Sequence, residues 1–266
     1  MKFLIIFLLS ISCYASSYLL LTGEWDPYTG VELKSYGIAN EVITKALSAV
    51  GEKVEYKFVP WPRNLDFVKN NSKYMGSSVW AYTEERAKIY SFSDYFVNNR
   101  ESFFYIKNRE KEISWNELTD LKKIKASFGA TRSYEHVEVL KRAGLKVDIA
   151  NSDILNFKKL IAGRIQYFPC NKIVADEIIR KHFPDHVDII THTKQLVLDQ
   201  PLGIIVNKQN QEAIAFIKKF NKGLKIIRKN GELKKTIEDY FKQKDISTYI
   251  APKSASTETI KSSPYP

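Results

Sequence analysis

The sequence is poor in sulfur, with 2 cysteines and 2 methionines among 266 residues. Cys13 lies in an apolar N-terminal segment, so the rest of the chain keeps only Cys170 and can form no internal disulfide. This excludes a small fold that is held together by disulfide bonds. A chain of this length is large enough to be stabilised by its hydrophobic core alone.

Long hydrophobic runs are also scarce. After the N-terminal segment, no stretch approaches the ~20 apolar residues that a membrane-spanning helix needs. Acidic residues are fewer than basic ones, 30 against 41, which gives a net charge of +11. The lysines are spread along the chain rather than massed in one block, which favours a solvated basic surface or an anionic ligand over nucleic acid. No phosphate loop or dinucleotide fingerprint is present, and no cofactor is predicted.

Residues 1–15 have the features of a secretory signal peptide. Lys2 is followed by an apolar run from Phe3 to Ile11, and Ala15 supplies a small residue for cleavage. The run is too short for a membrane anchor. Cys13 leaves a lipoprotein as an alternative, although the usual apolar residue three positions before it is missing. We therefore expect an exported, periplasmic protein. The Ser-, Thr- and Pro-containing tail, residues 251–266, is predicted to be disordered.

Hydrophobic periodicity alternates between strands and helices. Residues 38–50 repeat apolar side chains at helical spacing, residues 54–59 alternate as a strand does, and residues 213–227 predict one long helix. Two such series, each of about a hundred residues, predict two α/β lobes with largely parallel sheets.

One block is more specific than the rest: a strand leading to Thr83-Glu84-Glu85-Arg86, then Phe92-Ser93-Asp94. It resembles the hallmark of bacterial extracellular solute-binding proteins of family 3, which usually serve ABC importers of polar amino acids. Tyr95 stands where proline is common in that family. The segments Glu24–Tyr28 and Val59–Arg63 agree with the resemblance, which covers roughly residues 18–245.

The resemblance implies a fold of the periplasmic binding protein type II class, with two α/β lobes joined by two crossing segments near residues 103–110 and 198–205. The first lobe would comprise residues 16–104 and be completed by residues 201–250, and the second would comprise residues 105–200. The implied function is capture of a small polar, carboxylate-bearing ligand between the lobes. The implied partner is an ABC permease, and the protein is expected to be a monomer.

Arg86 matches the arginine that binds the ligand carboxylate in this family. Its guanidinium is a rigid fork that can donate two parallel hydrogen bonds. The alternative is a surface ion pair within Glu84-Glu85-Arg86, which would contribute little. Tyr28, Trp61, Trp80 and the neighbouring Ala81 are predicted to line the cleft, where aromatic faces suit apolar or cationic groups.

In the second lobe, Thr131 and Arg132 follow a strand and precede a helix, where free backbone N–H groups favour anions. The resemblance implies that Thr131 completes the carboxylate site, whereas an ordinary helix cap is the alternative. Asn171 matches a position where family members that bind α-amino acids carry an aspartate for the ammonium group. Because Asn171 is neutral, we expect a ligand without an ammonium group.

Two further functions are considered. An enzyme resembling cyclohexadienyl dehydratases would need an acid such as Glu24, Asp26 or Glu135, but no paired carboxylate motif is visible, so no catalysis is predicted. A sensor that signals through a separate membrane receptor is the other alternative. His182 and His186 suggest metal only weakly, because Pro184 breaks the helical face between them, and no metal is predicted.

Overall fold

A computed structural model describes residues 17–242. The predicted signal peptide, Cys13 and the predicted disordered tail lie outside the described residues. Nine strands are present, at Ser17–Thr22 (β1), Lys53–Phe58 (β2), Gly76–Ala81 (β3), Tyr90–Phe92 (β4), Val97–Ile106 (β5), Ser127–Thr131 (β6), Lys146–Ala150 (β7), Phe168–Asn171 (β8) and Ile190–Asn207 (β9) within that range.

The helices of the described residues follow the predicted alternation with the strands. They are Ile38–Ser48 (α1), Trp61–Asn70 (α2), Glu84–Ile89 (α3), His136–Arg142 (α4), Asp153–Ile161 (α5), Lys172–His182 (α6), Gln211–Lys229 (α7) and Glu232–Phe241 (α8). Short 3₁₀ helices lie at Lys34–Tyr36, Leu118–Lys123 and Pro184–His186. Of the described helices, none is long and apolar enough to cross a membrane.

The strands form one large sheet in the order β2-β1-β3-β9-β5-β8, with β4 paired to β9, and a second sheet of β6 and β7. Pairing is parallel within β1, β2 and β3 and between β6 and β7. It is antiparallel wherever β5 or β9 takes part. The expectation of largely parallel sheets is therefore met only within each lobe, because the strands that connect the lobes run against their neighbours.

The two crossing segments are β5 and β9. Strand β9 pairs with β3 and β4 of the first lobe, whereas β5 pairs with β8 of the second. Between the lobes the two strands pair with each other, from Val97↔Leu202 to Ile106↔Ile190. The molecule is thus an α/β fold of two lobes joined by two crossing segments. The predicted lobe boundaries at 104/105 and 200/201 fall inside these two strands and stay predictions.

The hydrophobic core covers both lobes. In the first, α7 packs against α1, and its fully buried Phe216 and Phe220 rings contact Tyr18 and Phe96. In the second, a separate cluster of buried aromatic side chains holds β6 against β5, with Phe103 and Phe128 at its centre. These cores hold the polar side chains of β3, β5 and β9 in fixed positions where the lobes meet.

Candidate functional site

A cavity of about 60 Å³ lies where the two lobes meet. The first lobe contributes aromatic and aliphatic side chains and one arginine, the crossing strands contribute polar side chains, and the second lobe contributes the turn before α4. The lining residues are Trp25, Trp61, Val79, Trp80, Ala81, Arg86, Asn99, Glu101, Ser133, Tyr134, Glu135, Gln200 and Leu202. A volume of this size accommodates a few non-hydrogen atoms.

Arg86 is the cation of the cavity. Its guanidinium donates hydrogen bonds to the carbonyl oxygen of Ala81 at 2.9 Å and, across the lobe boundary, to that of Ser133 at 3.3 Å. The guanidinium carbon lies 4.9 Å from the centre of the Trp80 ring, within cation–π range. Burial lowers the pKa of Arg86, and the nearby Glu135 carboxylate opposes this shift. An arginine remains protonated in spite of such a shift, so the cavity holds a buried positive charge.

The strand β3 is distorted where it meets the cavity. Its pairing with β9 shifts register between Ser77 and Trp80, and Val79 has a left-handed backbone with φ 55°. A β-branched residue rarely adopts this conformation. Bulges of this kind redirect side chains and occur often beside functional sites. The residues at and after this irregularity, Val79, Trp80 and Ala81, all line the cavity.

The aromatic wall is held by hydrogen bonds of its ring nitrogens. Trp80 donates its indole N–H to Ser77 Oγ at 2.8 Å, and Trp61 donates to the carbonyl oxygen of Glu24 at 2.9 Å. The two indole rings meet edge to face, 5.6 Å apart. Gly23 permits this position, because a Cβ atom there would come within 2.7 Å of the Trp61 ring.

The crossing strands present amide and carboxylate groups on one face. Asn99 and Glu101 are two residues apart on β5 and therefore point to the same side, and Asn99 pairs directly with Gln200 of β9. Asn99 donates to Glu101 Oε1 at 2.9 Å. Glu101 is almost fully buried, at 3% exposed.

His136 binds the other oxygen of Glu101. Its Nδ1 lies 2.7 Å from Glu101 Oε2, and its Nε2 accepts the backbone N–H of Thr131 at 2.9 Å. Because a backbone N–H can only donate, Nε2 carries no proton and the proton of the neutral ring lies on Nδ1, facing Glu101. The carboxylate of Glu101 therefore accepts two hydrogen bonds from neutral donors, and its charge has no cationic partner in this pair.

Four of the predicted site residues lie together in the cavity: Arg86, Trp80, Ala81 and Trp61. Tyr28 is not part of the described lining, because it is buried beneath Trp25, with the two rings stacked 4.3 Å apart. Trp25 occupies the position that we expected for Tyr28. The amino-acid sequence of this loop alone did not reveal whether Trp25 or Tyr28 faces the cleft.

In the second lobe, the predicted residues lie beside the cavity rather than in its lining. Thr131 is buried and donates its hydroxyl to Asp153 at 2.5 Å, while its backbone N–H is bound by His136. Arg132 is exposed and donates to Asn151 at 2.9 Å. The lining residues are instead Ser133, Tyr134 and Glu135, the next three along the chain.

Asn171 acts as the cap of α6. Its side-chain oxygen accepts the backbone N–H groups of Ile173 and Val174, and its amide donates to Asn99. All of these partners are protein groups, and Asn171 is not among the cavity lining residues. The expectation that the ligand lacks an ammonium group assumed that residue 171 faces the ligand. In this structure the carboxylates that face the cavity are Glu101 and Glu135.

Comparison with known proteins agrees with this arrangement. The family model for bacterial extracellular solute-binding proteins, family 3, matches residues 21–243. The chain belongs to this family. A search of curated proteins finds no match.

Solved structures with the same fold are distant in sequence. A histidine kinase sensor domain with similarity to periplasmic binding proteins has a TM-score of 0.74 at 16% identity, over 90% of this chain and 99% of the other. An ancestral arginine-binding protein bound to arginine has a TM-score of 0.67 at 23% identity, over 86% and 100%. An ancestral amino acid-binding protein, a precursor of cyclohexadienyl dehydratase, has 0.67 at 18%, over 85% and 95%. At these identities the likeness shows the fold.

Among residues 17–242, no group of three or more histidine, cysteine and acidic side chains is placed to hold a metal ion. His182 and His186, weighed as weak candidates, lie on either side of the helix break at Phe183 and Pro184.

Proposed function

We propose that this protein is a periplasmic solute-binding protein that captures a small, polar, carboxylate-bearing molecule between its lobes and delivers it to an ABC permease. The observation that carries the proposal is the position of Arg86. Its guanidinium reaches from the first lobe to a carbonyl oxygen of the second, inside the cavity. A ligand carboxylate that takes the place of the Ser133 carbonyl as the acceptor would receive a charge-assisted hydrogen bond from the guanidinium.

The wall around Arg86 supports a ligand with an apolar part as well. Trp25, Trp61 and Trp80 provide flat apolar surfaces, whereas Asn99 and Gln200 provide amide groups. Binding sites for small molecules commonly combine a mostly apolar lining with a few convergent polar groups. Opening and closing of the lobes around the paired strands β5 and β9 would admit and enclose the ligand.

Substitution of Arg86 tests the proposal. With the tightest binder from a panel of carboxylates and amino acids, Arg86→Ala is expected to weaken binding by about 30-fold or more, because a buried charge loses its partner. Arg86→Lys should restore it only in part, because an ammonium lacks the planar fork. Isothermal titration calorimetry measures both.

Arg132→Ala is the matched control, since Arg132 is a nearby arginine that lies outside the cavity lining. It should bind the same ligand with nearly unchanged affinity. Unchanged affinity in both Arg86 variants, or an equal loss in Arg132→Ala, would contradict the assignment of Arg86 as the carboxylate-binding residue.

One observation favours a second candidate, an enzyme of the cyclohexadienyl dehydratase type. Burial raises the pKa of the Glu135 carboxyl group, and a carboxyl group with a raised pKa in a cleft is a candidate acid. The test is incubation of the protein with a cyclohexadienyl substrate, followed by absorbance spectroscopy of the aromatic product. A binding protein returns the substrate unchanged, whereas turnover that is lost in Glu135→Gln would establish the enzyme.

A further inference from the structure

A second pocket, with a volume of about 550 Å³, lies on the second lobe. It is bounded by the turn after β6, the C-terminal end of β7 and one face of α5, and it shares none of its described lining residues with the interlobe cavity. Among these lining residues none is acidic and four are basic: Arg132, Lys158, Lys159 and Arg164. We call it the basic pocket.

The sequence of α5 directs one helix face into the basic pocket. Phe157 and Leu160 are buried in the core on the other side of the helix. The face that lines the pocket has the spacing i, i+3, i+4 and i+7 and consists of Leu155, Lys158, Lys159 and Ala162. The dipole of the helix favours basic residues in its last turn, which explains Lys158 and Lys159. It does not explain Arg132, which enters from the turn after β6.

Acidic side chains neutralise only part of this charge. Lys159 donates to Asp148 Oδ1 at 2.7 Å, whereas Arg132 donates its Nε–H to the neutral Asn151. Lys158 and Arg164 are exposed and form no ion pair with another residue of the range 17–242. Three positive charges thus line the pocket without an acidic partner among the described residues. A concave surface with charges of one sign attracts and concentrates counter-ions.

A phosphate monoester matches this arrangement better than a carboxylate does. It carries about two negative charges at neutral pH and has three acceptor oxygens, so several cations can bind it together. Arginine donates paired hydrogen bonds to phosphate, and lysine adds a point charge. Leu155 is 43% exposed at the pocket and, with Ala150, offers an apolar surface beside the cations. The ester can therefore have an apolar part as well.

We propose that the basic pocket is a second binding site, which takes the phosphate group of a monoester that also has an apolar part. Arg132 and Arg164 would donate hydrogen bonds to the phosphate oxygens, and Lys158 would add charge. Such a group occurs both in soluble phosphate esters and in the headgroup of phosphatidic acid. The proposal goes beyond the proposed function and does not depend on it, since the two sites have separate linings.

Two double variants of the full chain, matched in charge, test the proposal. Lys158→Gln/Arg164→Gln removes two cations from the pocket. Lys141→Gln/Arg180→Gln removes the same two types of residue from exposed positions of the second lobe outside its lining. Because all four side chains are exposed, both variants should unfold at the temperature of the wild type.

Calorimetry measures the affinity for phenyl phosphate, with benzoate as the matched monoanion. Co-sedimentation with phosphatidylcholine vesicles, with and without phosphatidic acid, measures lipid binding. The wild type should bind at least one of the two monoesters. The pocket variant should bind it about tenfold or more weakly, because two cations next to the phosphate are lost. The control variant should stay within about threefold of the wild type, as expected for exposed charges.

A loss for phenyl phosphate would identify the ligand as a soluble ester, and a loss for the vesicles alone would identify it as the lipid headgroup. Three results would overturn the inference: no binding of either monoester at millimolar concentration, an equal loss or no loss in the two variants, or pocket-dependent binding of benzoate as tight as that of phenyl phosphate. None of these results bears on the ligand of Arg86, which its own variants test.

Discussion

Asp153 is a buried carboxyl group close to the cavity. It accepts hydrogen bonds from Thr131 at 2.5 Å and from Tyr134, whose ring lines the cavity. Burial raises the pKa of Asp153 from 3.8 to about 6, and the hydrogen bond from Thr131 opposes the shift. The ionised form is therefore less favourable in the folded protein than in the unfolded chain.

This pKa shift makes the stability of the folded protein depend on pH. Because the folded pKa lies above the unfolded value, the folded state binds more protons between pH 3.8 and about 6. The contribution of Asp153 to stability is fully present below the unfolded pKa and is lost as the pH rises through the folded one. The expected loss is about 3 kcal/mol or less.

The measurement is chemical denaturation of the wild type and Asp153→Asn at pH values from 4 to 7. The free energy of unfolding of the wild type relative to the variant should fall across this range and then level off. Asp176→Asn is the control, since Asp176 is 57% exposed and pairs with Lys172 on the surface. A constant difference between the wild type and Asp153→Asn would show that the carboxyl group does not titrate as described.

At this scale the sequence allowed part of the site to be predicted. Trp80 lies in β3 and Arg86 follows it, within a motif of recognisable spacing, and both line the cavity. Glu135 was considered only as a candidate acid of an enzyme and Glu101 was not singled out, because their positions depend on how β5 and the turn before α4 meet in three dimensions. Thr131 was predicted from the family resemblance and from the anion-binding N–H groups of a helix start, but its N–H donates to His136 and its hydroxyl donates to Asp153. A sequence does not show which polar groups are already satisfied.

Among the elements, α7 and α1 make the closest helix contact of the first lobe. Gly223 of α7 faces α1, and a Cβ atom there would come within 1.7 Å of the carbonyl oxygen of Ala46. This atom belongs to the backbone of a helix and cannot move aside. The glycine thus fixes the distance between the two helices.

Gly223→Ala should separate α7 from α1 and destabilise the protein. Alanine favours a helix over glycine by about 1 kcal/mol, but overpacking costs about 1–3 kcal/mol or more, and the contact here is severe. Lys222→Ala is the control, since Lys222 is exposed on the same helix. Thermal unfolding should show a lower midpoint for Gly223→Ala alone. A midpoint equal to or above that of the wild type would mean that the helices are not packed as described.

The same helix illustrates which elements were predictable. The apolar stripe over residues 213–227 predicted α7 within a few residues of its bounds, because one face of a long helix is read directly from spacing. In contrast, the sequence pattern predicts two short strands, at residues 187–190 and 202–206, whereas the structure has one long strand, Ile190–Asn207, that includes Pro201. The strands that pair with β9 change along its length, from β5 at Thr191 to β3 and β4 at Ile205. The burial of its side chains therefore does not alternate with one regular period.

At the scale of the whole molecule, two lobes share a pair of antiparallel strands and close on a cavity lined from both sides. The resemblance to the family predicted the two crossings, and the structure has them in β5 and β9. The cavity was less predictable, since the charged side chains that line it come from three separate parts of the chain. The central claim is that a small carboxylate-bearing molecule binds in this cavity through Arg86.

Native mass spectrometry tests that claim most directly. The wild type and Arg86→Ala are each incubated with an excess of small-molecule extract from the cells that produce the protein, and the masses of the intact complexes are compared. The account predicts a single small molecule bound one-to-one to the wild type and largely absent from Arg86→Ala. Equal occupancy of the two proteins by the same molecule, or no complex with the wild type in excess extract, would contradict it.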